Sequence, residues 1–351
     1  MAIKQYGDKG KWMASYYKRH PITNLPVRRS KKNLKSQAEA KREYDKLVIK
    51  VNELLKEAVI PKWPKFLDNY FESCRKGHNY TKKTLHDMEL CLRSATEKKW
   101  ADKFINEILS DDIREVVKGD LKDRSESHQK SVLKFIRVAF QYATEQRLVP
   151  SNPTPKNISF NIGGKLQTVL NKQQAKHLLS KAKEYEWAWY PHYAMALYTG
   201  MRSGELYALR WKNVDLNKRR IKVTTAWNNK DGFKATKSNY DRNVEIAKPL
   251  IALLKQLGEG KKPDDFVLPR MAKWDKGEQA RELRAFLKLI GLPRIKFHDL
   301  RATWATLLLA QGKEPALVMK MAGWQDLKTM NHYCRLAGID VEGVTDGLDL
   351  G

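Results

Sequence analysis

Apolar residues recur three or four positions apart through several long stretches of this chain. Between Trp63 and Leu148 the segments FLDNYFESCRK, TLHDMELCLRSATEKKW, FINEILSDDIREVVKGDL and HQKSVLKFIRVAFQYATEQRLV all carry that spacing, which gathers apolar side chains on one helix face. A run of helices is expected there, with Phe135, Val138, Ala139 and Tyr142 in the core. Nearer the N-terminus, KWMASYY and LPVRRSKKNL read as short strands around a turn at His20 to Asn24. SQAEAKREYDKLVIKVNELL then reads as a helix, with Ser36 as its N-cap and Glu39 as the capping-box partner.

Prolines and glycines in VPSNPTPKNISFNIGGK (Pro150, Pro153, Pro155, Gly163, Gly164) mark a linker and a boundary near residue 160. Beyond it, LNKQQAKHLLSKAKEY, WAWYPHYAMALYTG, SGELYALRW, PLIALLKQL and EQARELRAFLKLIGL are helical in pattern, the second apolar enough to be buried all round. The third is expected to be capped by Ser203 or its neighbour. RRIKVTTAW reads as one strand, and FKATKSNYDRNVEIA as two strands joined at Ser238 to Asp241. The expected fold class is mainly α with small β-sheets, in several domains, the C-terminal half holding a single small sheet. A chain of 351 residues accommodates two or three such units.

Charge narrows the partner. Lys and Arg number 67 against 40 Asp and Glu, a net charge of +27. Fourteen Lys and Arg against four acidic residues give +10 within residues 1–50 alone. Such an excess favours a polyanion, and nucleic acid leads because neutralised phosphates release counterions. A membrane surface comes second, since the basic residues are spread along the chain and not gathered beside an apolar segment. There is no run of about 18 apolar residues and no signal-peptide core at the N-terminus, so a soluble cytoplasmic protein is expected. Cys74, Cys91 and Cys334 form no close pair and read as free thiols.

The sequence contains no GxxxxGK[ST] phosphate loop, no HExxH and no CxxC, so neither a nucleotide-driven motor nor a zinc enzyme is supported, and no cofactor is expected. What stands out is a set of cationic and donor groups at turns and helix starts: Arg202 in TGMRSGEL, Lys237 in ATKSNYDR, His298 and Arg301 in HDLR, Trp324 in AGW, and Tyr333. Arg202 lies where a turn meets a helix N-terminus, a place suited to anions. His298 and Arg301, three apart at a helix start, project onto one face. Together these groups describe a clamp for an oxyanion.

TGMRSGEL, the pair Lys237 and Arg242, HDLR, then Gly323-Trp324 and Tyr333 resemble the tyrosine recombinase or phage integrase family. The intervals of 3 from His298 to Arg301, 23 to Trp324 and 9 to Tyr333 are those of the family. The resemblance covers residues 165 to 335, and many members carry Gly-His where this chain has Gly323-Trp324. It implies an arm-type DNA-binding module at residues 1–57 (a small sheet with a helix), a helical core-site domain at 60–155, and a mixed α/β catalytic domain at 165–351. The implied activity is site-specific recombination: Tyr333 attacks a backbone phosphate to give a 3′-phosphotyrosyl link, and a second DNA end reverses the step. Arg202 and Arg301 would hold the nonbridging oxygens, and His298 would accept the tyrosine proton or hold the phosphate. Lys237 would protonate the leaving 5′-oxygen, Trp324 would donate through its indole N–H, and Glu205 would orient Arg202 or an adjacent backbone group.

Implied partners are double-stranded DNA, three further copies in a tetramer on two sites, a host DNA-bending protein and an excisionase. His332 and Cys334 read as incidental, and Trp304 as core. The acidic tail after Arg335 offers Ile339, Val341, Val344 and Leu348 as an apolar anchor. A type IB topoisomerase, which uses similar chemistry without site choice, and a noncatalytic DNA-binding regulator are the alternatives.

Overall fold

A computed structural model describes residues 2–6, 10–19, 26–56, 60–77, 80–162, 167–236 and 241–338. The chain divides into two compact units, residues 1–163 and 164–351. Lys237 and the tail residues Ile339, Val341, Val344 and Leu348 lie outside the described residues, as does the turn expected at His20 to Asn24.

The first unit opens with an antiparallel sheet in the order β1 (Ala2–Tyr6), β2 (Lys11–Arg19), β3 (Pro26–Leu34), followed by α1 (Gln37–Lys56). Small Ala14 on β2 and Ala40 on α1 let the helix lie close to the sheet, and Tyr44 packs edge-on against Tyr16. Ser36 caps α1 through the Glu39 N–H at 3.2 Å, but Glu39 reaches back to the Lys35 N–H, one residue beyond the expected partner.

A separate core follows, built from α2 (Trp63–Gly77), α3 (Lys82–Leu92), α4 (Lys98–Trp100), α5 (Ser110–Arg114) and α6 (Glu126–Glu145). A π-helical turn at Arg93–Glu97 joins α3 to α4 and turns Thr96 inward, where its hydroxyl accepts the Trp63 indole N–H at 2.8 Å and donates to the Leu92 carbonyl at 2.6 Å. Trp63 in turn packs on Trp100 and Phe140. The helix expected over FINEILSDDIREVVKGDL is divided, because Glu107 caps the Phe104 N–H and Asp112 caps the Leu109 N–H, giving a single 3-10 turn at Ile105–Glu107 and then a helix from Ser110 that continues through a π-helical stretch at Glu115–Asp120. On α6 the buried stripe is Val132, Leu133, Ile136, Ala139, Phe140 and Ala143. Of the four core residues expected there only Ala139 is buried; Phe135, Val138 and Tyr142 lie half-buried at its border. The proline-rich segment that follows is tied down along its first half. Ser110 donates to the Pro153 carbonyl at 2.5 Å and Arg137 to that of Pro155 at 2.9 Å, while Ile158 and Phe160 pack on the helical core.

The second unit runs α7 (Lys172–Glu184), α8 (Tyr190–Thr199), α9 (Ser203–Ala208), β4 (Val214–Asp215), β5 (Arg220–Val223), β6 (Thr225–Asn228), β7 (Gly232–Ala235), β8 (Arg242–Glu245), α10 (Lys248–Gly258), α11 (Glu278–Leu289), α12 (Asp299–Ala310), α13 (Pro315–Ala322) and α14 (Leu327–Ala337). As its composition requires, α8 is buried along nearly its whole length. The single strand expected over RRIKVTTAW breaks at Thr224. Its first half pairs with β4 and β8, its second with β7, so the described residues hold two small sheets here and not one. Among the described residues no helix is long and apolar enough to cross a membrane.

The Trp63–Thr96 bond makes a test of the helical core. Thr96→Val keeps the shape but leaves a buried indole N–H without its acceptor, and should lower unfolding free energy by about 1–3 kcal/mol in urea titrations followed by tryptophan fluorescence.

Candidate active site

Two helix C-termini converge on one buried guanidinium. α8 ends at Gly200, whose left-handed φ of 61° suits glycine and whose missing side chain makes room for buried Trp304. α13 ends at Gly323, also left-handed, with Arg242 packed where a Cβ would stand. Arg301, in the first turn of α12 and 2% exposed, donates from Nη1 to the Gly200 carbonyl at 2.5 Å and from Nη2 to the Ala322 carbonyl at 2.7 Å. Carbonyls left free at helix C-termini suit a cation. Burial, and then the nearby charge of Arg202, push this guanidinium down to about 9, so it stays protonated at neutral pH.

The second node is Glu205, 1% exposed on α9. Its carboxylate accepts the Arg202 backbone N–H at 2.7 Å and Arg202 Nη1 at 2.9 Å, so Arg202 itself is the residue capped at the start of α9. Arg242 on β8 approaches the same carboxylate with Nη1 at 2.9 Å and Nη2 at 2.5 Å, and its Nε donates to the Met321 carbonyl at 2.8 Å. Burial alone would raise the Glu205 carboxyl, but the guanidiniums of Arg242 and Arg202 outweigh it and hold the group below the ordinary value of 4.5.

Tyr333 lies on α14, 6% exposed, its ring stacked on Trp324 with centroids 4.7 Å apart and planes 6° from parallel. The Arg301 guanidinium lies 5.1 Å from the centroid of the Trp324 ring. Burial raises the Tyr333 phenol, while the charges of Arg301 and Arg202 act the other way. His298 is solvent-exposed just ahead of α12. Although the residue reaches solvent, partial desolvation of its imidazole and then the Arg301 charge hold it below the ordinary 6.5, so the neutral form that can accept a proton prevails at pH 7. Asp299 beside it is buried, accepting the Lys296 N–H at 2.7 Å and the Gln167 side-chain amide. A cleft of about 620 Å³ opens at this edge, lined by Gln167, Arg284, Arg294, Lys296 and Asp299.

Five of the residues singled out in the sequence thus meet through direct contacts in two groups: Arg202 with Glu205, and Arg301 with Trp324 and Tyr333. The Arg202 charge bears on Arg301 and Tyr333 and so links the groups, and His298 joins them through the charges of Arg301 and Arg202. Trp324 presents its ring face to Tyr333, a packing role beside the donor role expected of it. Arg242 served in the sequence only to mark spacing, and Asp299 and Gln167 were passed over. A signal for Arg242 was present: it occupies the same buried register of β8 as Val244, an unusual position for a charged side chain.

The chemistry this arrangement supports is charge compensation at an oxyanion beside a tyrosine. Residues 168–338 match the family model described as Phage integrase family. The integrase of Salmonella phage P22 is 29% identical over 154 residues, 40% of this chain but only 38% of that protein, so the match spans well under two thirds of its length. The ICEBs1 integrase of Bacillus subtilis (strain 168) is 23% identical over 327 residues, 88% of this chain and 86% of that protein. The Tn1549 transposon integrase, solved in complex with a circular intermediate DNA, shares the fold with a TM-score of 0.65 at 18% identity, over 76% of this chain and 94% of that one.

The Glu205 node generates a stability prediction. Glu205→Gln strips the partner from buried Arg242 and should cost about 3–5 kcal/mol of unfolding free energy at neutral pH. Because the folded carboxyl is depressed, its contribution is complete above the ordinary 4.5 and is lost as pH falls through the lower folded value. Urea titrations should therefore show a wild type to variant gap that is constant from neutrality to about pH 5 and closes only in stronger acid.

Proposed function

We propose, from the match of residues 168–338 to the phage integrase family, that this chain is a tyrosine recombinase that cuts and rejoins double-stranded DNA at specific sites to integrate or excise a mobile element. The observation that carries the reading is Tyr333 stacked on Trp324 within the field of Arg301 and Arg202, the two arginines whose charge also bears on neutral His298.

In the proposed cleavage step the Tyr333 Oη–phosphorus bond forms and the phosphorus–O5′ bond breaks. The phenolic proton passes to His298 or a water beside it, and the departing 5′-oxygen takes a proton from Lys237. Negative charge growing on the nonbridging oxygens is met by Arg202, with four guanidinium N–H groups beyond its Glu205 bond, and by the donors of Arg301 not spent on Gly200 and Ala322. Reversal by the 5′-hydroxyl of a second strand conserves the phosphodiester energy. With the phenol stacked and buried, attack requires Tyr333 to leave the face of Trp324. The basic cleft edge at Arg284, Arg294 and Lys296 suits the neighbouring phosphates. In this reading residues 1–57 bind accessory sites, 60–155 bind core sites and 165–351 carry the chemistry, four copies assemble on two sites, and the protein acts in the host cytoplasm. A host DNA-bending protein and an excisionase would assist.

Trapping tests the proposal. Nicked duplexes drawn from DNA flanking the encoding gene should accumulate a covalent protein adduct with wild type and none with Tyr333→Phe. An adduct with the phenylalanine variant, or none with wild type, overturns it, and relaxation of any plasmid regardless of sequence would point to a topoisomerase. Arg202→Lys or Arg301→Lys should slow adduct formation about 100- to 1,000-fold with DNA affinity nearly unchanged.

The depressed His298 imidazole predicts the pH dependence. Its neutral form persists below the ordinary 6.5, so the acid limb of the cleavage rate should lie below that value. His298→Gln should lower the rate and remove that limb; an inflection at or above 6.5 in wild type would contradict the assignment.

A further inference from the structure

Beyond the residues that would touch DNA, and resting on the recombinase reading above, we infer that Arg242 is a positioning residue that keeps Arg202 available to the scissile phosphate. A carboxylate offers about four acceptor sites. Glu205 has all four filled: Oε1 by Arg242 Nη1 and Arg202 Nη1, both at 2.9 Å, and Oε2 by Arg242 Nη2 at 2.5 Å and the Arg202 backbone N–H at 2.7 Å. Arg242 takes the two-pronged approach to the carboxylate, the geometry in which guanidinium and carboxylate bind most strongly. Arg202 is left with a single side-chain bond and remains about 29% exposed.

Without Arg242, the buried carboxylate would keep one hydrogen-bonded cation, because Arg301 is committed to the Gly200 and Ala322 carbonyls. Arg202 would fold onto it with both prongs, its charge cancelled and its donors turned from solvent. Arg242 therefore does more than neutralise Glu205, because it competes for the carboxylate and so holds Arg202 outward. Its Nε bond to the Met321 carbonyl adds a second effect. Two consecutive carbonyls at the end of α13, Met321 and Ala322, are held by Arg242 and Arg301, which fixes the turn at Gly323 from which Trp324 projects.

The test measures single-turnover adduct formation at saturating nicked DNA, separating the rate constant from the fraction of active protein and from DNA affinity. Arg242→Gln should lower the rate constant about 100-fold and Arg242→Lys about tenfold, with the dissociation constant within about threefold of wild type. Adding Glu205→Gln to Arg242→Gln removes the carboxylate that captures Arg202 and should restore at least about tenfold of the lost rate. If the variants lose only active fraction, with the rate constant unchanged, Arg242 is a structural ion pair and the inference fails. It fails equally if the second substitution restores stability but no rate. Should Arg242→Gln not fold, the lysine variant decides by the same division between rate constant and active fraction. Absence of an adduct with wild type would instead defeat the recombinase reading itself.

Discussion

A guanidinium that is almost wholly buried needs compensation, and in the second unit the packing around the site is organised to provide it. Arg301 receives that compensation from carbonyls at the ends of α8 and α13, not from a carboxylate. A carboxylate partner would have cancelled the charge, whereas two helix C-termini stabilise it and leave it positive. Both ends must therefore stop at defined places, and both stop at a left-handed glycine. The Trp304 ring under Gly200 leaves no room for a side chain there, and a Cβ at left-handed Gly323 would come within 2.9 Å of Arg242 Cδ and force that arginine to shift.

The remaining charge is arranged around that cation with one carboxylate serving two arginines. Glu205 is close enough to Arg301 to temper its depression, yet its hydrogen bonds go to Arg202 and Arg242. The site consequently keeps a positive balance with every buried member of this network hydrogen-bonded. Tyr333 sits in that field. Burial makes its proton harder to remove and the arginines make it easier, and burial prevails while the ring rests on Trp324.

Much of this was legible in the sequence, for physical reasons that also mark where legibility ends. Helical stripes in the 63–148 region and the all-apolar α8 follow from periodicity, since a helix repeats every few residues. The breaks did not: Asp112 and Glu107 start new turns by side-chain capping inside a segment whose apolar spacing runs on unbroken. Thr224, where one strand becomes two, is β-branched and reads as strand like its neighbours. On α6 the stripe was misplaced by a fraction of a turn, because Phe135 and Tyr142 looked more like core than the smaller Ala143. In the site, short or fixed offsets single out Arg202, His298, Arg301, Trp324 and Tyr333 in the sequence, and the fold puts Arg301, Trp324 and Tyr333 in one cluster with the Arg202 charge beside them. Arg242 escaped because its partner Glu205 is 37 residues away and on another element. The face-to-face contact of Trp324 depends on how α14 docks, which no local pattern records.

The struts that hold the donors end on main-chain oxygens: Gly200 and Ala322 for Arg301, Met321 for Arg242. A carbonyl oxygen is present whatever side chain its residue bears. Half-buried position 321 can therefore change residue type and keep its acceptor, whereas at fully buried Ala322 the packing, not the hydrogen bond, limits the side chain. Mutational tolerance of this kind concentrates constraint on a few arginines, one glutamate and two glycines. It is a physical route by which such a site can keep its geometry while most of the surrounding sequence is rewritten.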